Sequence, residues 1–93
     1  MSVITIQRTH QFSLDELKQK IDHIIHEISK KLYFRSEWES ENTLSFRRKG
    51  AHGYIEIDES NFEFTLRLGM MFRMMKDAIQ KEVLKVIDGH IEQ

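Results

Sequence analysis

The chain has 93 residues, enough for a single domain (residues 1–93) with one modest core. Its 14 basic and 15 acidic side chains leave a formal net charge of −1, which argues against a nucleic-acid-binding protein that relies on a bulk basic field. Cysteine is absent, which excludes disulfides and thiolate sites, and no apolar run approaches the roughly 20 residues of a membrane span. The first residues show no signal-peptide pattern, so we expect a cytoplasmic protein without a transmembrane segment.

The N-terminal residues alternate between apolar and polar side chains over 3–8, which predicts a first strand. Ile4 and Ile6 share one face of this strand, and Arg8 and His10 continue the same face at its end. Polar side chains in this position usually lie at the rim of a core.

A first amphipathic helix follows. Ser13 is the predicted N-cap, and Glu16 stands three residues later, as in a capping box. The apolar residues of the helix fall on one stripe: Leu14, Leu17, Ile21, Ile24, Ile25, Ile28 and Leu32.

Period-two alternation then returns in four segments, over 34–39, 43–47, 54–58 and 62–68. Short polar turns and a glycine loop bracketed by Gly50 and Gly53 separate them. We therefore predict an α+β fold of order β-α-β-β-β-β-α, with an antiparallel meander sheet and two helices on one face in a two-layer arrangement. The sequence does not indicate which strand the first one pairs with.

After Gly69 the period becomes helical, and a helical projection places Met71, Phe72, Met75, Ile79 and Val86 on the core stripe of a last helix. Met70 and Met74 fall off that stripe, on the side of Leu84. The predicted binding surface, which is apolar and adaptable, therefore consists of Met70, Met74 and Leu84. The alternative is that scattered surface apolar residues need no explanation.

The order of these features resembles the putative polyhydroxyalkanoic acid system protein family. The matching features are Ile4-x-Ile6 leading to His10, the first amphipathic helix, Trp38 before Leu44-x-Phe46, Gly50-x-x-Gly53 before Ile55-x-Ile57, and Leu68-Gly69 opening the last helix. The resemblance implies a small cytoplasmic protein of bacteria that store polyhydroxyalkanoate granules, and it carries no catalytic motif. The methionine-rich run over 70–75 departs from the leucine expected there.

The histidines are the main candidates for catalytic residues or metal ligands in the sequence. His23 and His26 have i, i+3 spacing but no third ligand, so we expect no metal and no cofactor. Arg8 and His10 could bind an anionic group at the mouth of a cleft; the alternative, which we favour, is a rim histidine bonded to backbone at the entry to the first helix. No catalytic residues are predicted.

Two functional hypotheses follow. The favoured one is a non-enzymatic interaction module that uses its last helix to contact a protein partner, a second copy in a homodimer, or a storage-granule surface, with no nucleic-acid partner. The alternative is a helix-grip-like domain that binds a small apolar or acyl ligand between sheet and C-terminal helix. Its predicted pocket consists of Trp38, Phe64, Met71 and Met75, with Arg8 and His10 at the mouth.

Overall fold

The computed structural model describes residues 2–91; the predicted domain of residues 1–93 also includes Met1, Glu92 and Gln93, which lie outside the described residues. In chain order the elements are β1 (Ser2–Thr9), α1 (Leu14–Leu32), β2 (Arg35–Trp38), β3 (Thr43–Arg48), β4 (Ala51–Ile57), β5 (Asn61–Leu68), a 3₁₀ turn (Arg73–Met75) and α2 (Lys76–Ile91). The predicted element order and α+β class are confirmed.

The five strands form one antiparallel sheet of order β1-β5-β4-β3-β2. Strands β2 to β5 make the predicted meander, and β1 pairs with β5, which the sequence left undecided. Ile6 and Ile55 are both register partners of Phe64, and Leu44 is the partner of Ile55. These four side chains therefore point to the same face of the sheet.

Both helices cover that face. The apolar stripe of α1 and the buried residues of α2 belong to the same core cluster as the inward strand residues. The α2 members of this cluster are Ile79, Val83, Ile87 and Ile91. Among the described residues no helix lies on the other face, which we call the open face.

Local signals set the limits of α1. The Ser13 hydroxyl accepts a hydrogen bond from the Glu16 backbone N–H at 3.2 Å, as the predicted cap requires. At the other end Tyr33 adopts a left-handed conformation with φ of 58°, and its N–H donates to the Ser29 carbonyl at 2.8 Å. This conformation ends the helix, and the Tyr33 side chain is 75% exposed.

The predicted start of the last helix is wrong. Between Gly69 and Lys76 the chain turns through short-range bonds, in which the Phe72 N–H donates to the Gly69 carbonyl and the Met75 N–H to the Phe72 carbonyl. Helix α2 begins only at Lys76, so the helical projection does not apply before it. Met71 is 58% and Met75 50% exposed, and neither belongs to the core stripe; Phe72 is buried as predicted.

The predicted glycine loop is also shorter than expected. Gly50 lies in the β3–β4 turn with a φ of +88°, which explains the glycine there. Gly53 instead lies within β4, where an added Cβ would come within 2.8 Å of the Phe46 ring. Glycine at position 53 therefore serves close packing rather than turning.

Candidate functional site

The most exposed apolar side chains of the described chain include the four methionines of residues 70–75, which we call the methionine segment. Met70 is 80% and Met74 95% exposed, and Met71 and Met75 are each at least half exposed. Leu84 lies in α2 and packs partly buried against the core, so it does not extend this surface as predicted. The exposed apolar surface is therefore centred on the segment before α2 rather than on one face of the helix.

Contacts to the β3–β4 turn fix the base of the methionine segment. The Gly69 N–H donates to the Gly50 carbonyl at 2.8 Å. The buried Phe72 ring lies under the Arg48 guanidinium, with 4.8 Å between the guanidinium carbon and the ring centroid. A Cβ at Gly50 would lie 3.5 Å from the Met71 sulfur, so the segment and the turn are in contact.

A basic concavity adjoins this contact. Its volume is about 460 Å³, and it is lined by Tyr33, Arg35, Arg47, Arg48 and Lys49. Arg48 Nη1 also donates to the Leu32 carbonyl at 2.9 Å, which ties the end of α1 to the end of β3. Arg48 thus connects the methionine segment to the concavity through its contact with Phe72.

Three arginines lie in a row across the open face, which we call the arginine row. Arg35 is the register partner of Arg47, Arg47 of His52, and His52 of Arg67, so the row crosses β2 to β5. At about 4.8 Å between strands it spans roughly 15 Å. None of the three arginines forms an ion pair with any residue in the range 2–91.

The opposite strand ends are acidic. Glu56 and Glu63 are register partners on the open face. The turns at this end carry Glu39, Glu41, Asp58 and Glu59. Charge is therefore segregated along the strand direction, between a basic end that includes the methionine segment and an acidic end, although the net charge is only −1.

The arginine row was not predicted from the sequence, in which the basic residues at 47–49 are consecutive in one strand. Strand alternation places Arg48 on the opposite face from Arg47, and in the structure Arg48 reaches the end of α1 while Arg47 stays on the open face. The cluster forms across strands instead. In the sequence, each of the three arginines lies near the end of a predicted strand. An antiparallel meander brings these strand ends to the same edge of the sheet.

Arg8 and His10 have structural partners. His10 is 5% exposed; its Nε2 donates to the Asp58 carbonyl at 2.8 Å, and its Nδ1 accepts from the Phe12 backbone N–H at 3.1 Å. These bonds match the interpretation of a rim histidine at the entry to α1. Arg8 Nε donates to an Asp88 carboxylate oxygen at 2.8 Å and joins β1 to α2.

Two carboxylates near these residues have shifted pKa values. The backbone N–H of Ser60, followed by the Asn61 side chain and backbone, lowers the pKa of Asp58 below its usual value. The hydrogen bond from Arg8 lowers the pKa of Asp88. Both shifts favour the ionised carboxylate in the folded state.

The proposed ligand pocket is not assembled around Arg8 and His10. The concavity that these two line also includes Asp88 and Ile91, but not Trp38, Phe64, Met71 or Met75. Phe64 is fully buried and stacks on Phe46, and the Trp38 indole N–H donates to Asp22 at 3.0 Å.

Residues 2–91 contain no group of three or more histidine, cysteine or acidic side chains arranged to hold a metal. In the same range no helix has the length and apolarity needed to cross a membrane.

Comparison with known proteins gives one family. The model of a family described as "Putative polyhydroxyalkanoic acid system protein" matches residues 4–91. No curated protein matches the chain.

Proposed function

The chain belongs to the putative polyhydroxyalkanoic acid system protein family, and on that premise we propose that it is a non-enzymatic accessory module that attaches to the surface of polyhydroxyalkanoate storage granules in the cytoplasm. The attachment uses the methionine segment. Family membership links the chain to the polyhydroxyalkanoate system, and the exposure of Met70 and Met74 is the observation that supports a surface-binding role.

Methionine side chains suit an irregular apolar surface. They are unbranched and polarizable, so they adapt to a partner without a fixed shape. Each one that becomes buried contributes roughly 1.5–3 kcal/mol, from which the entropy of association must be deducted. Met70 and Met74 have little contact within the chain, so most of this gain is available for binding.

The contacts of Arg8 and His10, the two residues that most resemble catalytic ones, support the non-enzymatic part of the proposal. Both ring nitrogens of His10 are engaged in backbone hydrogen bonds, and Arg8 is paired with Asp88. A general base needs a free nitrogen within reach of a substrate proton. His10 therefore has a structural role that explains its burial without a reaction.

The test is co-sedimentation with protein-free polyhydroxyalkanoate particles. The variant Met70→Gln/Met74→Gln removes apolar surface at two exposed positions, and Met70→Leu/Met74→Leu keeps it as a matched control. We expect the glutamine variant to lose most of its particle binding at an unchanged melting temperature, while the leucine variant binds like the natural chain.

Three results would overturn the proposal. One is equal particle binding by the glutamine and leucine variants. Another is binding only to native granules that retain their proteins, which would indicate a protein partner. The third is a glutamine variant that alters only a monomer–dimer equilibrium in analytical ultracentrifugation, which would make the segment a homodimer interface.

A further inference from the structure

We infer that the surface bound by the methionine segment is an anionic lipid layer, with phosphate headgroups over acyl chains, and that the protein docks on it by its basic end. The inference rests on the proposed function, because it specifies the chemistry of the granule surface. It adds a second set of contacting residues, the cations that surround the methionines.

The basic end holds nine basic side chains, and Glu37 in β2 and Asp77 and Glu82 in α2 are carboxylates close to them in the chain or paired with them. The cations lie in the last turn of α1, at the strand ends, in the β3–β4 turn and around the methionine segment: Lys30, Lys31, Arg35, Arg47, Arg48, Lys49, Arg67, Arg73 and Lys76. Lys31 is paired with Glu82. The excess of positive charge at this end contrasts with the net charge of the whole chain.

Like charges that face each other across neighbouring strands destabilise a sheet. Arg35 and Arg47 do so, and no carboxylate within residues 2–91 pairs with either side chain. A partner that brings negative charge would relieve this repulsion, so the row is complementary to an anionic surface.

The mixture of cations with exposed methionines distinguishes a lipid layer from a nucleic acid. Tyr33 in the basic concavity is an aromatic ring on which a base could stack, but the exposed methionines gain little from a phosphate backbone. A lipid interface uses both kinds of side chain, because apolar groups enter the acyl boundary while lysine and arginine meet the headgroups. Met70 and Met74 therefore favour the lipid layer.

The segregation of charge also sets the orientation. An anionic layer attracts the basic end and repels the acidic end, where Glu56 and Glu63 face each other. The molecule is then held with the methionine segment toward the lipid and the turn at Asp58 away from it.

The test is co-sedimentation with vesicles of phosphatidylcholine alone or with added phosphatidylglycerol, at low and high salt. Arg47→Gln/Arg67→Gln removes two charges from the arginine row. Lys18→Gln/Lys20→Gln removes two charges from the start of α1, near the acidic end, and is the matched control. We expect binding only with phosphatidylglycerol, a loss of roughly tenfold in the arginine variant, and little loss in the control.

The inference is overturned by equal binding to both kinds of vesicle, or by equal losses in the two charge variants. It is also overturned if duplex or single-stranded DNA, and not the vesicles, binds in an arginine-dependent way. Particle binding that persists without vesicle binding defeats this inference alone. Vesicle binding without particle binding defeats the proposed granule attachment and leaves the lipid site standing.

Discussion

Arg35 and Arg47 lie directly opposite each other on β2 and β3, with both side chains exposed on the open face of the sheet. Strand β2 is a short edge strand of four residues, so it contributes few ladder bonds to offset this repulsion. The pair therefore lowers the stability of the edge, and it also forms one end of the arginine row in the proposed anionic-surface site.

We predict that Arg47→Glu stabilises the fold while weakening vesicle binding. The new carboxylate would face Arg35 and replace a repulsive pair with an attractive one, worth about 0.2–1 kcal/mol. Urea unfolding measures the free energy, and Arg47→Gln is the control that removes repulsion only. A lower free energy of unfolding for the glutamate variant than for the glutamine variant would contradict the prediction.

Alanine at two glycines is predicted to act in opposite directions. At Gly53 an added Cβ would collide with the Phe46 ring and the Thr65 carbonyl, so Gly53→Ala should destabilise by about 1–3 kcal/mol. At Gly89, within α2, nothing lies within 4 Å of the added Cβ, and Gly89→Ala should stabilise by up to about 1 kcal/mol. Thermal unfolding of both variants checks the signs, and the same sign at both positions would refute the packing described.

Ile24 is completely buried on the inward stripe of α1. Ile24→Asp places an unpaired charge in the core and should destabilise by several kcal/mol, on the order of 3–5. Gln19→Asp, at an exposed position of the same helix, is the control and should change stability by less than about 1 kcal/mol. Equal melting temperatures for the two variants would show that α1 does not pack on the sheet as described.

The sequence predicted the element order, the two layers and the cap at Ser13, because these depend on local periodicity and local hydrogen bonds. The prediction extended the last helix by six residues because the apolar residues over 70–75 have the spacing of a helical stripe. The bond from Gly69 to the Gly50 carbonyl and the burial of Phe72 under Arg48 hold the segment outside the helix. Both are contacts between distant parts of the chain, which periodicity does not encode.

The arginine row shows the same limit for the candidate site. Arg35, Arg47 and Arg67 come together only through the register of four strands. A shift of one residue in any pairing would move an arginine to the other face. By contrast, the exposure of Met70 and Met74 was expected, although for the wrong reason, since both lie outside α2.

His10→Ala is predicted to lower stability without changing particle or vesicle binding. The substitution leaves the Asp58 carbonyl and the Phe12 N–H without their partner and removes a buried ring, which should cost about 1–3 kcal/mol. His26→Ala, at an exposed position of α1, is the control and should be nearly neutral. Loss of binding in folded His10→Ala would give His10 a functional role.

The Arg8–Asp88 pair joins β1 to α2, and its contribution to stability should depend on pH. The hydrogen bond from Arg8 lowers the pKa of Asp88 in the folded state below that of the unfolded chain. The stabilisation is therefore fully present above the unfolded-state pKa, about 3.9, and is lost as the pH falls through the lower folded-state value. Because both side chains are more than a third exposed, solvent screening limits the contribution to about 0.5 kcal/mol.

We accordingly predict that Asp88→Asn is less stable than the natural chain at neutral pH and that the difference disappears in strong acid. Urea unfolding of both proteins from pH 7 downward measures the difference, in which the titration of Asp58 cancels because both chains retain it. High salt at neutral pH should also reduce the difference, since part of it is Coulombic. A difference that stays constant from neutral to strongly acidic pH would mean that the Asp88 position acts through packing or neutral hydrogen bonding rather than through its charge.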